Sequence, residues 1–156
     1  SAKMQELQAK QYEPVKNYSW TICLSLAADR GFGWRDNVEE LISYATYIFQ
    51  YATKHQIPFE LFISVLAEGG ALHVPLNEGQ TQYAKALEEL ARISDDSTLL
   101  PKQGFLHYIM KKRERSSSII FLGLHKKELP LLTQPTFVIH DEGMVEPVEN
   151  LAISHS

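Results

Sequence analysis

The sequence predicts an α/β domain built on a mostly parallel sheet. Short apolar, β-rich runs alternate along the chain with segments whose apolar residues recur every three or four positions. The runs are apolar throughout instead of alternating in and out, as expected for strands covered by helices on both faces. With 156 residues, 44% apolar and 22% charged, the chain is long enough for one domain around one core.

The elements follow in order. Gln5 to Tyr12 alternates polar and apolar residues and reads as an exposed edge strand, so 3–18 is edge strand and lead-in. Ser19 to Ala27 is a buried strand, broken by Gly31-Phe32-Gly33. Asp36 is placed to cap a helix, with Glu39 and Glu40 favoured in its positive first turn. Val38, Leu41, Ile42, Ala45, Ile48, Phe49 and Ala52 then form its apolar face, and Pro58 lies beyond its end near His55. Phe59 to Ala67 is a second strand, closed by Gly69-Gly70. Leu72 to Leu76 reads as a short edge strand, where Pro75 is tolerated. Gln80 to Ile93 and Gly104 to Lys112 are helices, Ser118 to Leu124 a strand, Glu128 to Leu132 a short helical turn, and Thr136 to His140 a last strand. The core is thus expected over 19–142 and a tail over 143–156.

Composition excludes several classes. A formal charge of -4 argues against nucleic-acid binding, and no apolar run approaches the roughly 20 residues of a membrane span. One cysteine, Cys23, cannot form an intramolecular disulfide; mid-strand, it reads as a small buried thiol. The 6 histidines show no zinc-ligand spacing, and neither a phosphate loop nor a nucleophile elbow is present. Adjacent residues on a strand face opposite ways, so His140 and Asp141 are poorly placed as an acid–base pair. Lys111 to Arg115 reads as a cationic end to the third helix. Tyr44, Tyr47 and Tyr51 flank the apolar face of the first helix. The chain opens Ser1-Ala2-Lys3-Met4 and reads as a piece of a longer protein.

Five stretches together resemble one bacterial family: Leu7 to Pro14, Trp20 to Ala27, Val38 to Ala45, Pro75 to Gly79, and Ala86-Leu87-Glu88-Glu89-Leu90-Ala91-Arg92-Ile93. In this order and spacing they resemble the domain of unknown function 58. That resemblance covers roughly residues 5 to 95 and implies a von Willebrand factor A-like, Rossmann-like three-layer fold. It also implies an origin in bacterial membrane proteins encoded beside MoxR-type AAA+ ATPases, with the membrane helices outside this chain and this part on the cytoplasmic face.

Many domains of that fold hold a divalent cation, usually Mg2+, through an Asp-x-Ser-x-Ser loop after the first strand, a Thr from a second loop and often an Asp after a later strand. Here Ser25 stands at the Asp position, Ala27 and Asp29 at the two Ser positions, and Thr81 at the Thr. No Asp follows Phe121-Leu122-Gly123-Leu124-His125. The remaining set, Ser25, Asp29 and Thr81, is short of the carboxylates a hard cation needs. The expectation is therefore a non-enzymatic protein-interaction module without a cofactor, whose partner is a MoxR-type ATPase. Phe32, Trp34, Arg35 and Asn77 are its contact candidates, on an edge expected to gather the loops Asp29 to Arg35 and Asn77 to Thr81. The alternatives are a Mg2+-dependent binding domain with a reduced site, and a small Rossmann-like enzyme.

Overall fold

The structure, a computed structural model, describes residues 18–148 except Gly31. The expected edge strand Gln5 to Tyr12 lies outside the described residues. In chain order the elements are β1 (Trp20–Leu24), α1 (Val38–Lys54), β2 (Phe59–Ala67), β3 (Gly70–Asn77), α2 (Gly79–Ala91), α3 (Lys102–Lys112), β4 (Ser118–Leu122), a 3-10 turn (Lys126–Glu128), β5 (Thr136–Ile139) and β6 (Val145–Pro147). They form a six-stranded sheet in the order β3-β2-β1-β4-β5-β6. The four strands β2, β1, β4 and β5 run parallel, with Trp20 beside both Phe59 and Ser118, while β3 and β6 are antiparallel edges. This is an α/β, Rossmann-like arrangement.

Strand alternation divides the interior in two. Trp20, Ile22 and Leu24 pack with Leu61 and Ile63 against Leu41, Ile48 and Phe49 of α1 and Ala86 and Leu90 of α2. Cys23, Phe62, Ile119 and Phe121 face the other way, onto Phe105, Leu106 and Ile109 of α3. Phe49 and Phe59 stack with ring centroids 5.2 Å apart. Phe49 is fully buried, so Phe49→Ala should cost about 3–5 kcal/mol. Glu40→Ala, at an exposed position, should stay within about 0.5 kcal/mol. Near-equal urea midpoints for the two variants would contradict the assignment of this face. Ile42 is only half-buried and should fall between them.

Four expectations are corrected. β1 ends at Leu24, because Ser25 N–H still bonds Leu122 C=O (2.8 Å) but the chain then turns back on itself. Asn37, not Asp36, is the residue before the first turn of α1; its side chain does not cap the helix, since its amide oxygen accepts from Arg35 Nε at 2.9 Å. The stretch expected to be tail contributes β6, whose Val145 pairs with Ile139, so the folded unit continues to that strand. The helical turn expected at Glu128 to Leu132 lies earlier, at Lys126–Glu128.

The direction of β3 decides where the site can be. Only Glu68 and Gly69 separate β2 from β3, and a two-residue connection can join only antiparallel strands. β3 therefore runs back, and Asn77 ends opposite Phe59, the first residue of β2.

Candidate functional site

Open α/β sheets place ligands beyond the C-terminal ends of the strands, where the strand order reverses. Here that point lies between β1 and β4. The loop after β1 is tied at its base by a bridge between Ala27 and Trp34, by Ala28 N–H to Gly33 C=O (2.9 Å) and by Arg35 N–H to Leu26 C=O (2.9 Å). Gly33 takes φ +105°, which a side-chain-bearing residue rarely adopts. Trp34 is half-buried and packs against the core. Phe32, at the loop's tip, is fully exposed.

Arg35, expected on the surface as a contact residue, is instead buried, at 8% exposure. Its guanidinium donates to Asp29 Oδ1 (2.8 Å), Asp141 Oδ1 (2.9 Å), Asn37 Oδ1 (2.9 Å) and the Gly123 carbonyl (3.3 Å). The planar fork thereby joins the loops that follow β1, β4 and β5.

Asp29 has further partners. Lys102 Nζ, at the start of α3, lies 2.6 Å from its Oδ1 and 3.2 Å from Glu128 Oε2, and His125 Nε2 lies 3.4 Å from its Oδ2. Ligand-type atoms of Asp29, His125 and Glu128 all fall within 4.8 Å of one another. Two of these three carboxylate and imidazole groups already share the lysine ammonium. Burial raises the pKa of the Asp29 carboxyl, but hydrogen bonds and charge from Lys102 and Arg35 outweigh it and hold the group well below its ordinary range. A carboxyl with a depressed folded-state pKa stabilises the fold above its unfolded value, and that stabilisation is lost as pH falls toward the folded value. Asp29→Asn should therefore lose stability relative to wild type near neutrality and converge with it as pH falls below about 4, the ordinary carboxylate range. Urea midpoints from pH 7 to pH 2.5 check this; a constant difference would refute it.

The expected metal set does not assemble. Ser25 is fully buried just after β1, its hydroxyl without a hydrogen-bond partner among the described residues, and Asp29 is beyond it on the same edge. Thr81 is exposed in the first turn of α2, which follows β3. Because β3 runs antiparallel, Thr81 and Asn77 lie at the opposite edge of the sheet, and neither the metal set nor the expected pair of contact loops is brought together. Lys102, His125, Glu128 and Asp141 were not among the expected site residues. His125 stands two residues after Gly123, near the place where an Asp was sought, and supplies a polar side chain there.

A crevice of about 610 Å³ opens beside this cluster, lined in part by Asp29, Trp34, Arg35, Asp36, Glu40 and Asp141. Cys23 is buried and does not line it; burial first, then the nearby Glu60 carboxylate, raise its thiol well above the usual value, against a smaller opposing effect of Arg113. His140 bonds Glu146 (2.8 Å), whereas Asp141 bonds Arg35.

No family model, curated protein or solved structure matches the chain. Among the described residues, no helix is long and apolar enough to cross a membrane.

Proposed function

We propose that the chain is a non-enzymatic protein-interaction module of von Willebrand factor A-like fold that docks through the C-terminal edge of its sheet. The observation that supports this is Phe32, a fully exposed aromatic ring on a loop whose base is fixed by backbone bonds. An exposed ring on an ordered base loses little conformational freedom on binding, and aromatic residues dominate interface energetics. On the family resemblance, the partner is a MoxR-type AAA+ ATPase, and the module sits at the cytoplasmic face of a bacterial membrane through segments outside this chain.

Phe32→Ala should leave the melting temperature within about 1 °C, since the ring buries nothing, and weaken binding to the ATPase at least about tenfold. Retained binding by a folded Phe32→Ala variant would remove the support for this surface. The reading as a divalent-metal-dependent domain has one favourable observation, the proximity of Asp29, His125 and Glu128. Lys102 argues against it, because its ammonium already pairs with two of the three groups. Calorimetric titration with Mg2+ should show no binding in the low micromolar range; a Kd of that order would favour the metal reading.

A further inference from the structure

Lys102 is the first residue of α3, where the positive end of the helix dipole disfavours a cation. The helix gains nothing from a lysine there, and the contacts that Lys102 makes lie outside the helix. The segment that leads to it is fixed. Leu99 bridges to Val65, Leu100 N–H bonds Ser64 C=O (2.9 Å), and Pro101 restrains the backbone one residue before. From this base the lysine side chain, only 15% exposed, brings its ammonium to Asp29 Oδ1 at 2.6 Å and Glu128 Oε2 at 3.2 Å.

Asp29 and Arg35 stand at the two ends of the loop that carries Phe32. Arg35 ties the far end of that loop to Gly123 C=O and to Asp141. Lys102 ties the near end, through Asp29, to the start of α3 and to the 3-10 turn at Glu128. Carboxylate oxygens of Asp29 and Glu128 lie within 4.8 Å of one another. Two like charges at that spacing repel unless a cation is shared between them. The lysine is thus what allows the loop after β1 and the turn after β4 to stand side by side.

We propose that Lys102 is a positioning residue for the Phe32 loop: it holds Asp29 and Glu128 together, so that α3 sets where the exposed ring stands. The consequence for binding rests on the docking reading above; the consequence for the loop does not.

The test is amide hydrogen exchange on the intact protein, with Lys102→Met, which keeps an aliphatic side chain and removes the charge. The Ala28 and Arg35 amides bond Gly33 C=O and Leu26 C=O across the base of the loop, and in this variant they should exchange about tenfold faster. The Ser25 amide, bonded to Leu122 C=O beside the sheet, should keep its wild-type rate. Adding Glu128→Gln to Lys102→Met removes the repulsion and should bring Ala28 and Arg35 back to within about threefold of wild type. A lysine that served only the packing of α3 would give the same exchange with or without Glu128→Gln. Unchanged exchange at Ala28 and Arg35 in Lys102→Met, equal acceleration at Ser25, or no recovery with Glu128→Gln would each overturn the proposal. Lys102→Met should also weaken binding to the ATPase about three- to tenfold. Faster loop exchange with full binding would support the positioning role and overturn docking through Phe32.

Discussion

Gly123→Ala should be among the most damaging single-methyl additions in the protein, with an expected loss of about 3–5 kcal/mol. The glycine directly follows β4, at φ +85°, in a conformation that alanine adopts only with strain. Space is the larger obstacle. A Cβ there would overlap the Ser25 carbonyl, with Leu41 Cδ1 3.3 Å away on another side. The obstructing atom is backbone of the central strand's end, fixed by the bond from Ser25 N–H to Leu122 C=O, so it cannot rotate aside as a side chain would. Gly104→Ala is the matched control: nothing lies within 4 Å of its added methyl, and the site is helical, so a gain of about 0.5–1 kcal/mol is expected. Urea melts of both variants decide the matter. A Gly123→Ala protein as stable as wild type would mean that the contact between the ends of β1 and β4 is wrongly described.

Replacing Arg35 should produce the second large effect. Arg35→Ala removes a buried guanidinium that binds two carboxylates, one amide and one carbonyl, and should cost about 2–4 kcal/mol. The figure stays below that of a fully buried ion pair because the Asp29 and Asp141 side chains are 39% and 52% exposed and recover hydration. Arg35→Lys keeps the charge but cannot span the same four acceptors, so it should restore less than half of the loss. Complete rescue by lysine would show that charge alone matters at this position. The expected stability loss also means that variants of Arg35 cannot report on docking, which is why Phe32 is the residue to test for partner binding.

Much of the architecture was legible because buried strands and amphipathic helices announce themselves by period. Trp20–Leu24, Phe59–Ala67 and the faces of α1 and α2 are patterns within a few residues of one another. The direction of β3 is legible too, in the two-residue link Glu68-Gly69, although Gly69-Gly70 by itself marks only the end of a strand. Missing that reversal placed Asn77 and Thr81 at the wrong edge. The ion cluster offered no such local signal. Asp29 meets Lys102 across 73 positions and Arg35 meets Asp141 across 106, separations at which charge has no period to read. Arg35 is expected as a contact residue because arginine in a loop at this edge is a common interface anchor; it is buried here because its partners arrive from loops after two other strands. β6, three residues containing a Glu and a Pro, is too short to show any pattern and forms because β5 offers it a neighbour.

Lys102 gives this edge an economy that a mobile ion cannot. Its ammonium is part of the chain, so its stoichiometry is fixed at one and dilution, dialysis or a chelator cannot remove it. This part of the local charge balance is assembled once, when α3 docks on the sheet. The pair changes when the loops move or when the pH is low enough to reach Asp29.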